Sequence, residues 1–206
     1  MKWIIWAEIF LTALAGVPPT SGQQEPANFT APATVYAGDV NYPANSDSAG
    51  LVTLCVGLDA SGRVRDVRTL RDIPSLTLPA LLAVNDWTFA PAVLVSKPLA
   101  SPISVNVLFS PPEVRRNSVP LAPVEGACTS QSKRFSPPEV VTAFYGSVVM
   151  NSATIGTVVL NVTADKTGRV EKVSPVWSGD PARAKLAIAT VRRWKFKPGV
   201  FGGIPM

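Results

Sequence analysis

The chain has 206 residues, 47% of them hydrophobic, which suits one ordinary domain or two small ones with packed cores. Its formal charge is +5 and it contains no histidine, so the usual general base, proton shuttle and commonest metal ligand are all missing. Its 20 prolines point to linkers and short elements in place of long helices.

The chain opens with "MKWIIWAEIFLTALAG": a lone Lys2, an apolar run, then Ala13-Leu14-Ala15 in the small-x-small spacing of a signal-peptidase site. Residues 1–15 are therefore expected to be a cleaved secretory signal. An uncleaved membrane anchor is the alternative, but a span needs roughly 20 apolar residues, whereas Glu8 interrupts this run and Pro18-Pro19 closes it. Residues 16–35 read as a flexible leader.

From Gly50 the sequence repeats itself. "GLVTLCVGLDASGRVRDV" (50–67) lies on "GTVVLNVTADKTGRVEKV" (156–173) at a constant offset of 106, and Trp87, Phe89 and Pro91 fall on Trp194, Phe196 and Pro198 after one inserted residue. In the first repeat Val52, Leu54, Val56 and Leu58 alternate with Thr53, Cys55 and Gly57, the period of a half-buried strand. The second repeat matches with Val158, Leu160, Val162 and Ala164. "DASG" and "DKTG" are Asp-to-Gly turns leading into second strands, Arg63 to Leu70 and Arg169 to Val176, so each repeat should open with a β-hairpin.

A helix is predicted next. In the second repeat Asp180 is the expected N-cap and Pro181 the first helical residue, followed by Ala184, Ala187, Ile188 and Val191 at helical spacing. In the first repeat Thr77 is the expected cap, with Ala80, Leu81 and Val84 on the same face and Leu78 and Leu82 widening it. The Trp-x-Phe-x-Pro segment then puts Trp and Phe on one side as core anchors, with Lys195 and Lys197 pointing away. Ile103 to Phe109 supplies a last strand to the first repeat. The second runs into "VFGGIPM" and has no matching strand, so its sheet is expected to have one strand fewer or to borrow one.

The predicted class is α+β: two tandem small domains, 36–111 and 140–206, each a helix packed on an antiparallel sheet of about three strands. Residues 112–139 read as a Pro-rich linker with some extended structure. "SPPEV" occurs at Ser110 and again at Ser136, read as a trace of the duplication.

Candidate chemistry is sparse. Without histidine there is no Ser-His or Cys-His pair, and there is no nucleophile elbow, phosphate loop or metal-ligand cluster, so no catalytic residue, metal or cofactor is assigned. Asp59 and Asp165 are expected to serve their turns by accepting backbone hydrogen bonds. From residue 140 onward nine Lys and Arg face three Asp and Glu, while residues 36–111 carry five against six. Arg192, Arg193, Lys195 and Lys197 are therefore a candidate patch for an anionic partner, a solvated face being the bland alternative. Nucleic acid is not expected for an exported chain whose basic surface carries no interleaved aromatics, Trp194 and Phe196 lying on the opposite side from Lys195 and Lys197. Cys55 lies on the strand face opposite Val52 and Leu54, and Cys128 lies in the linker; a disulfide between them would strap the linker across the outer face of the first sheet, with two unpaired thiols as the alternative.

Tyr42-Pro43, Gly50-x-Val52, Asp59-x-x-Gly62-x-Val64, the helix, Trp87-x-Phe89-x-Pro91, Ser96-Lys97-Pro98 and the strand to Phe109 together resemble the C-terminal domain of TonB, the energy transducer of Gram-negative bacteria. The likeness covers about 70 residues of the first repeat and about 60 of the second. It implies a periplasmic domain that performs no chemistry and pairs an exposed sheet edge with an extended segment of an outer-membrane transporter or another envelope protein. On that likeness the expected pairing edge is Ser104, Val105, Asn106, Val107 and Leu108. TonB proper keeps a membrane helix carrying a histidine and a long proline-rich rod. This chain has no histidine and a short linker, so the reading is a soluble TonB-like binding module. The alternatives are an anchored energy transducer, with membrane contact only if the first segment stays uncleaved, and a structural module whose repeats pair with each other or swap a strand within a homodimer.

Overall fold

The computed structural model describes residues 28–109, 118–129, 134–145 and 157–206. The expected signal, 1–15, and the "SPPEV" at Ser110 lie outside them. In chain order the elements of the first half are β1 (Phe29–Thr30), β2 (Ala33–Tyr36), β3 (Gly50–Leu58), β4 (Val64–Arg71), α1 (Pro74–Asn85), β5 (Thr88–Ala90), β6 (Ala92–Leu94), β7 (Lys97–Leu99) and β8 (Ser101–Phe109). Those of the second half are β9 (Phe135–Ser136), β10 (Glu139–Thr142), β11 (Val158–Ala164), β12 (Val170–Ser178), α2 (Pro181–Val191), β13 (Lys195–Lys197), β14 (Val200–Phe201) and β15 (Ile204–Pro205). Among the described residues the fold is mixed α+β, two helices among small antiparallel sheets.

The hairpins β3–β4 and β11–β12 share one register. Thr53 opposes Arg71 as Val159 opposes Trp177, and both pairs are followed by a bulge. At each hairpin tip an Asp builds the turn: Asp59 Oδ1 accepts from the N–H groups of Ser61 and Arg63, and Asp165 Oδ1 from those of Thr167 and Arg169. The turn glycines, Gly62 at φ 83° and Gly168 at φ 80°, sit where L side chains are strained. A Cβ on either would also overlap a carbonyl oxygen, that of Phe89 or of Phe196. The Trp-x-Phe-x-Pro segment thus runs beneath each hairpin tip, and both the turn and the segment recur because each needs the other.

The repeat reaches further back than its clearest motif. β1 pairs with the β6–β7 hairpin as β9 pairs with the β14–β15 hairpin, and β2 pairs with β5 as β10 pairs with β13. Phe29 falls on Phe135 and Pro32 on Pro138 at the same offset of 106. This corrects three expectations. The stretch 16–35, expected to be a leader, contains β1 and most of β2; the linker 112–139 contains β9; and the "SPPEV" at Ser136 matches Thr30–Thr34, not Ser110.

The helices differ at their starts. Asp180 caps α2, accepting from the N–H of Ala182, and Pro181 is the first helical residue. Thr77 does not cap α1, which begins three residues earlier at Pro74 with Ile73 in the cap position. From inside the helix Thr77 Oγ1 reaches back to accept from the Ile73 N–H at 3.0 Å, while the N–H groups of Leu76 and Thr77 donate to Ile73 O. Leu78 and Leu82 do not widen the buried face; they are 61% and 60% exposed, while Leu76, Ala80 and Val84 are fully buried.

β3 departs most from expectation. Its alternation predicts a half-buried strand, yet it is buried along nearly its whole length. Val52, Leu54 and Val56 pack under α1 with Trp87, Phe89, Val105 and Phe109. On the other face Leu51 joins a second cluster with Val119, Val140, Ala143, Tyr145 and Trp194, drawn from the linker and the second repeat. Cys55 is bonded to Cys128, which ties 118–129 across this face, and the Glu125 N–H donates to Leu70 O.

Arg71 closes the arrangement. The residue is 4% exposed, and its guanidinium donates to Ala122 O (3.0 Å), Thr53 Oγ1 (3.2 Å) and Val140 O (2.7 Å), with Glu139 Oε1 at 3.6 Å. Burial pushes its pKa down from the ordinary guanidinium value, while Glu139 opposes that shift. Arg71→Ala leaves these acceptors without donors in the interior, so urea unfolding should show a loss of about 3 kcal/mol, of which Arg71→Lys recovers only part. Cys128→Ser opens a loop whose ends are 73 residues apart and should cost about 4 kcal/mol by chain entropy, measurable in urea with and without reductant.

Candidate functional site

The two sheets dock on each other's first strands in a reciprocal way. The outer face of β3 receives β10, through Arg71 to Val140 O. The outer face of β11 receives β2: Asn161 accepts from the Thr34 N–H at 3.0 Å and donates to Thr34 O at 2.8 Å. Thr34 and Val140 occupy the same place in the repeat, as do Arg71 and Trp177. Trp177 Nε1 donates to Asp39 Oδ1, and Thr157 Oγ1 meets both the N–H and the carbonyl of Val40. Val159, Val176 and Trp177 thereby join the core beneath α1. This exchange covers part of the outer face of each sheet.

The five expected edge residues lie together on β8, the outer strand of the order β4-β3-β8. Their side chains serve the interior: Val105 is buried, Val107 packs with the α1 core, Leu108 borders the second cluster, and Asn106 Oδ1 accepts from Thr53 Oγ1. Asn106 Nδ2 donates to Ser104 Oγ at 3.2 Å, and Ser104, Asn106, Val107 and Leu108 are half-buried. Among the described residues β8 pairs with β3 alone; β9 lies against it without pairing, and Cys128 Sγ approaches Ile103 O at 4.0 Å near its start.

In the second repeat β11 and β12 form a two-stranded sheet. Among the described residues no strand occupies the side of β11 that corresponds to the β8 side of β3. The C-terminal stretch makes the β14–β15 hairpin, turning at Gly202 and Gly203 with φ of 59° and 86°. The matching turn of β6–β7 is built from Val95 and Ser96 at φ 48° and 64°, an uncommon conformation for a β-branched residue.

The basic patch is only partly free. Arg193 stacks over the Phe144 ring with its guanidinium carbon 4.7 Å from the centroid, whereas Arg192, Lys195 and Lys197 are exposed and have no ion pair among the described residues. A shallow concavity of about 280 Å³ between 39–43 and α1 is lined by Asp39, Asn41, Pro79, Leu82 and Asp86. Among the described residues no helix is long and apolar enough to cross a membrane.

Sequence reasoning missed Arg71, Asn161 and Thr34 as the residues that join the halves. The offset of 106, carried back to Phe29 and Phe135, was the available signal for β2 and β10. No local signal marked Arg71, whose acceptors are scattered along the chain. Comparison with protein-family models, with curated proteins and with solved structures finds no match to this chain.

Asp59 and Asp165 both have carboxyl pKa values held below the ordinary 3.8, first by the hydroxyls of Ser61 and Thr167 and then by the backbone N–H groups of Arg63 and Arg169. A lowered folded pKa contributes stability that is present above the ordinary value and is lost as pH falls below it. Acid titration of the melting temperature should therefore fall less steeply below about pH 4 in the Asp59→Asn, Asp165→Asn double variant than in the parent.

Proposed function

We propose that this chain is a non-enzymatic periplasmic protein built from two tandem TonB-like domains, and that it binds extended segments of envelope or outer-membrane transporter proteins by strand addition. The observation that carries the reading is the outer edge of β8. This nine-residue strand pairs with β3 alone among the described residues, and the donors and acceptors of its other edge would serve a partner strand. The order hairpin, helix, Trp-x-Phe-x-Pro, closing strand supports the TonB likeness, as does Tyr42, whose hydroxyl donates to Ser46 O and Ser48 O beside the start of β3. In this reading affinity comes from main-chain hydrogen bonds and selectivity from the side chains flanking the edge.

A structural role, with the repeats holding each other and a second chain completing the sheets, is favoured by one observation, the reciprocal docking of β2 and β10. A stable dimer indifferent to added peptide would support it. An anchored energy transducer needs residues 1–15 in the mature protein, and a mature N-terminus at Gly16 would exclude it.

Successive N–H groups of a strand point to opposite edges, so of Asn106→Pro and Val107→Pro one breaks the ladder to β3 and the other removes an outward donor. The outward variant should melt within a few degrees of the parent and bind an extended transporter segment at least roughly tenfold more weakly by calorimetry, since proline also blocks the approach of a strand. Unchanged affinity would exclude β8 as the pairing edge.

A further inference from the structure

The disulfide between Cys55 and Cys128 has two unlike ends. Cys55 stands within β3, 1% exposed, with Arg68 of β4 and Ser104 of β8 as its cross-strand neighbours. Cys128 is half-buried and lies outside any strand, near the end of the 118–129 stretch. A thiolate arriving from solvent therefore meets Cys128 Sγ before Cys55 Sγ, and access decides which sulfur is attacked.

Arg68 stands where it can stabilise the buried end as a leaving group. Its Nη2 lies 3.6 Å from Cys55 Sγ and donates to Ala127 O at 3.3 Å, so one guanidinium spans the sulfur and the peptide beside Cys128. Its Nε faces Asp66 Oδ2 at 3.9 Å, a loose and exposed pair that leaves Nη2 to the sulfur. A neutral disulfide sulfur is a weak acceptor, whereas a thiolate at the same place takes a charge-assisted hydrogen bond. The guanidinium thus favours the charge that develops on Cys55 when the bond breaks. The scaffold does not require this cation, because at the equivalent positions the second repeat sets Asn161 opposite Ser174.

We propose that Cys55–Cys128 is a site of thiol–disulfide exchange, opened by a dithiol reductant that attacks Cys128 and expels Cys55 as a thiolate held by Arg68. A thiolate of the reductant bonds to Cys128 Sγ as the bond between the cysteine sulfurs breaks, and the electron pair of that bond passes to Cys55. The second thiolate of the reductant then attacks the reductant's own sulfur in the mixed disulfide, which releases Cys128 and closes a cyclic disulfide. The dithiol is oxidised, the protein disulfide is reduced, and the protons of the dithiol end on the two cysteines. The stretch 118–129 stays attached through Val119 N–H to Ala143 O, Arg71 to Ala122 O and Glu125 N–H to Leu70 O. Glu125 is the last of these before Cys128, so exchange frees the end of the stretch over Cys55 and leaves the docking of the two repeats in place. The inference does not depend on strand addition at β8.

The test is the rate at which dithiothreitol reduces the folded full-length protein, read by alkylation and intact mass. The rate should rise in proportion to the reductant; Arg68→Gln should lower it about fivefold, and Arg68→Lys should restore most of it. A guanidinium that merely pins the stretch predicts the opposite, since losing the bond to Ala127 O would uncover the sulfurs and speed reduction. Reduced glutathione followed by acid quenching should place the first adduct on Cys128 in peptide mapping. By hydrogen exchange the reduced protein should lose protection at the Glu125 amide and keep it along β3. The proposal is overturned by an unchanged or faster rate in Arg68→Gln, by a rate independent of reductant, by a first adduct on Cys55, or by loss of protection throughout β3 on reduction.

Discussion

A strand with no solvent face needs cover on both sides, and β3 obtains its second cover through one buried guanidinium. Its inner face is closed by α1 in the ordinary way of a helix on a sheet. Its outer face presents Leu51, Thr53 and Cys55 to a layer assembled from the linker and β10. Burying Arg71 there is costly unless its donors are satisfied, and the acceptors come from three separate stretches: Thr53, Ala122 and Val140. None of the three stretches supplies enough by itself, so the site is complete only when all are docked. That makes Arg71 a device for register as much as for stability.

The opposite half uses a different side chain for the same task. Asn161 imitates a ladder, accepting and donating to the backbone of Thr34, and it stands where the first repeat has Cys55. An amide can do this because it carries both an acceptor and donors, whereas a guanidinium carries donors alone and must find carbonyls. The two repeats therefore embrace through equivalent surfaces with non-equivalent chemistry. The embrace covers part of the sheet face in both repeats, and among the described residues the sheets differ in their strands: the order is β4-β3-β8 in one and β11-β12 in the other.

Much of the local structure was legible in the residues. Alternation over Val52–Leu58 and Val158–Ala164 marked the strands, the Asp-to-Gly spacings marked the tips, and Asp180-Pro181 marked the start of α2, because each depends on neighbours a few residues away. Thr77 misled for an instructive reason. A hydroxyl near a helix start can serve the cap donor from outside the first turn or from within it, and residue type does not distinguish the two. The exposure of Leu78 and Leu82 was also hidden, since apolar spacing defines a stripe without saying how wide a facing sheet will be. The β8 residues were legible as a strand, but the direction of their side chains into two cores was not.

The sequence by itself determined the duplication, the hairpins, the helices and the pairing of Trp with Phe on one side of the Trp-x-Phe-x-Pro segment, all of them consequences of short-range periodicity and turn chemistry. Only the tertiary structure decided that β3 is covered twice and that Arg71 joins three stretches of chain. Those outcomes rest on desolvation and hydrogen-bond satisfaction among residues far apart in the chain, and such energies leave no trace in local pattern until the chain has brought the groups together.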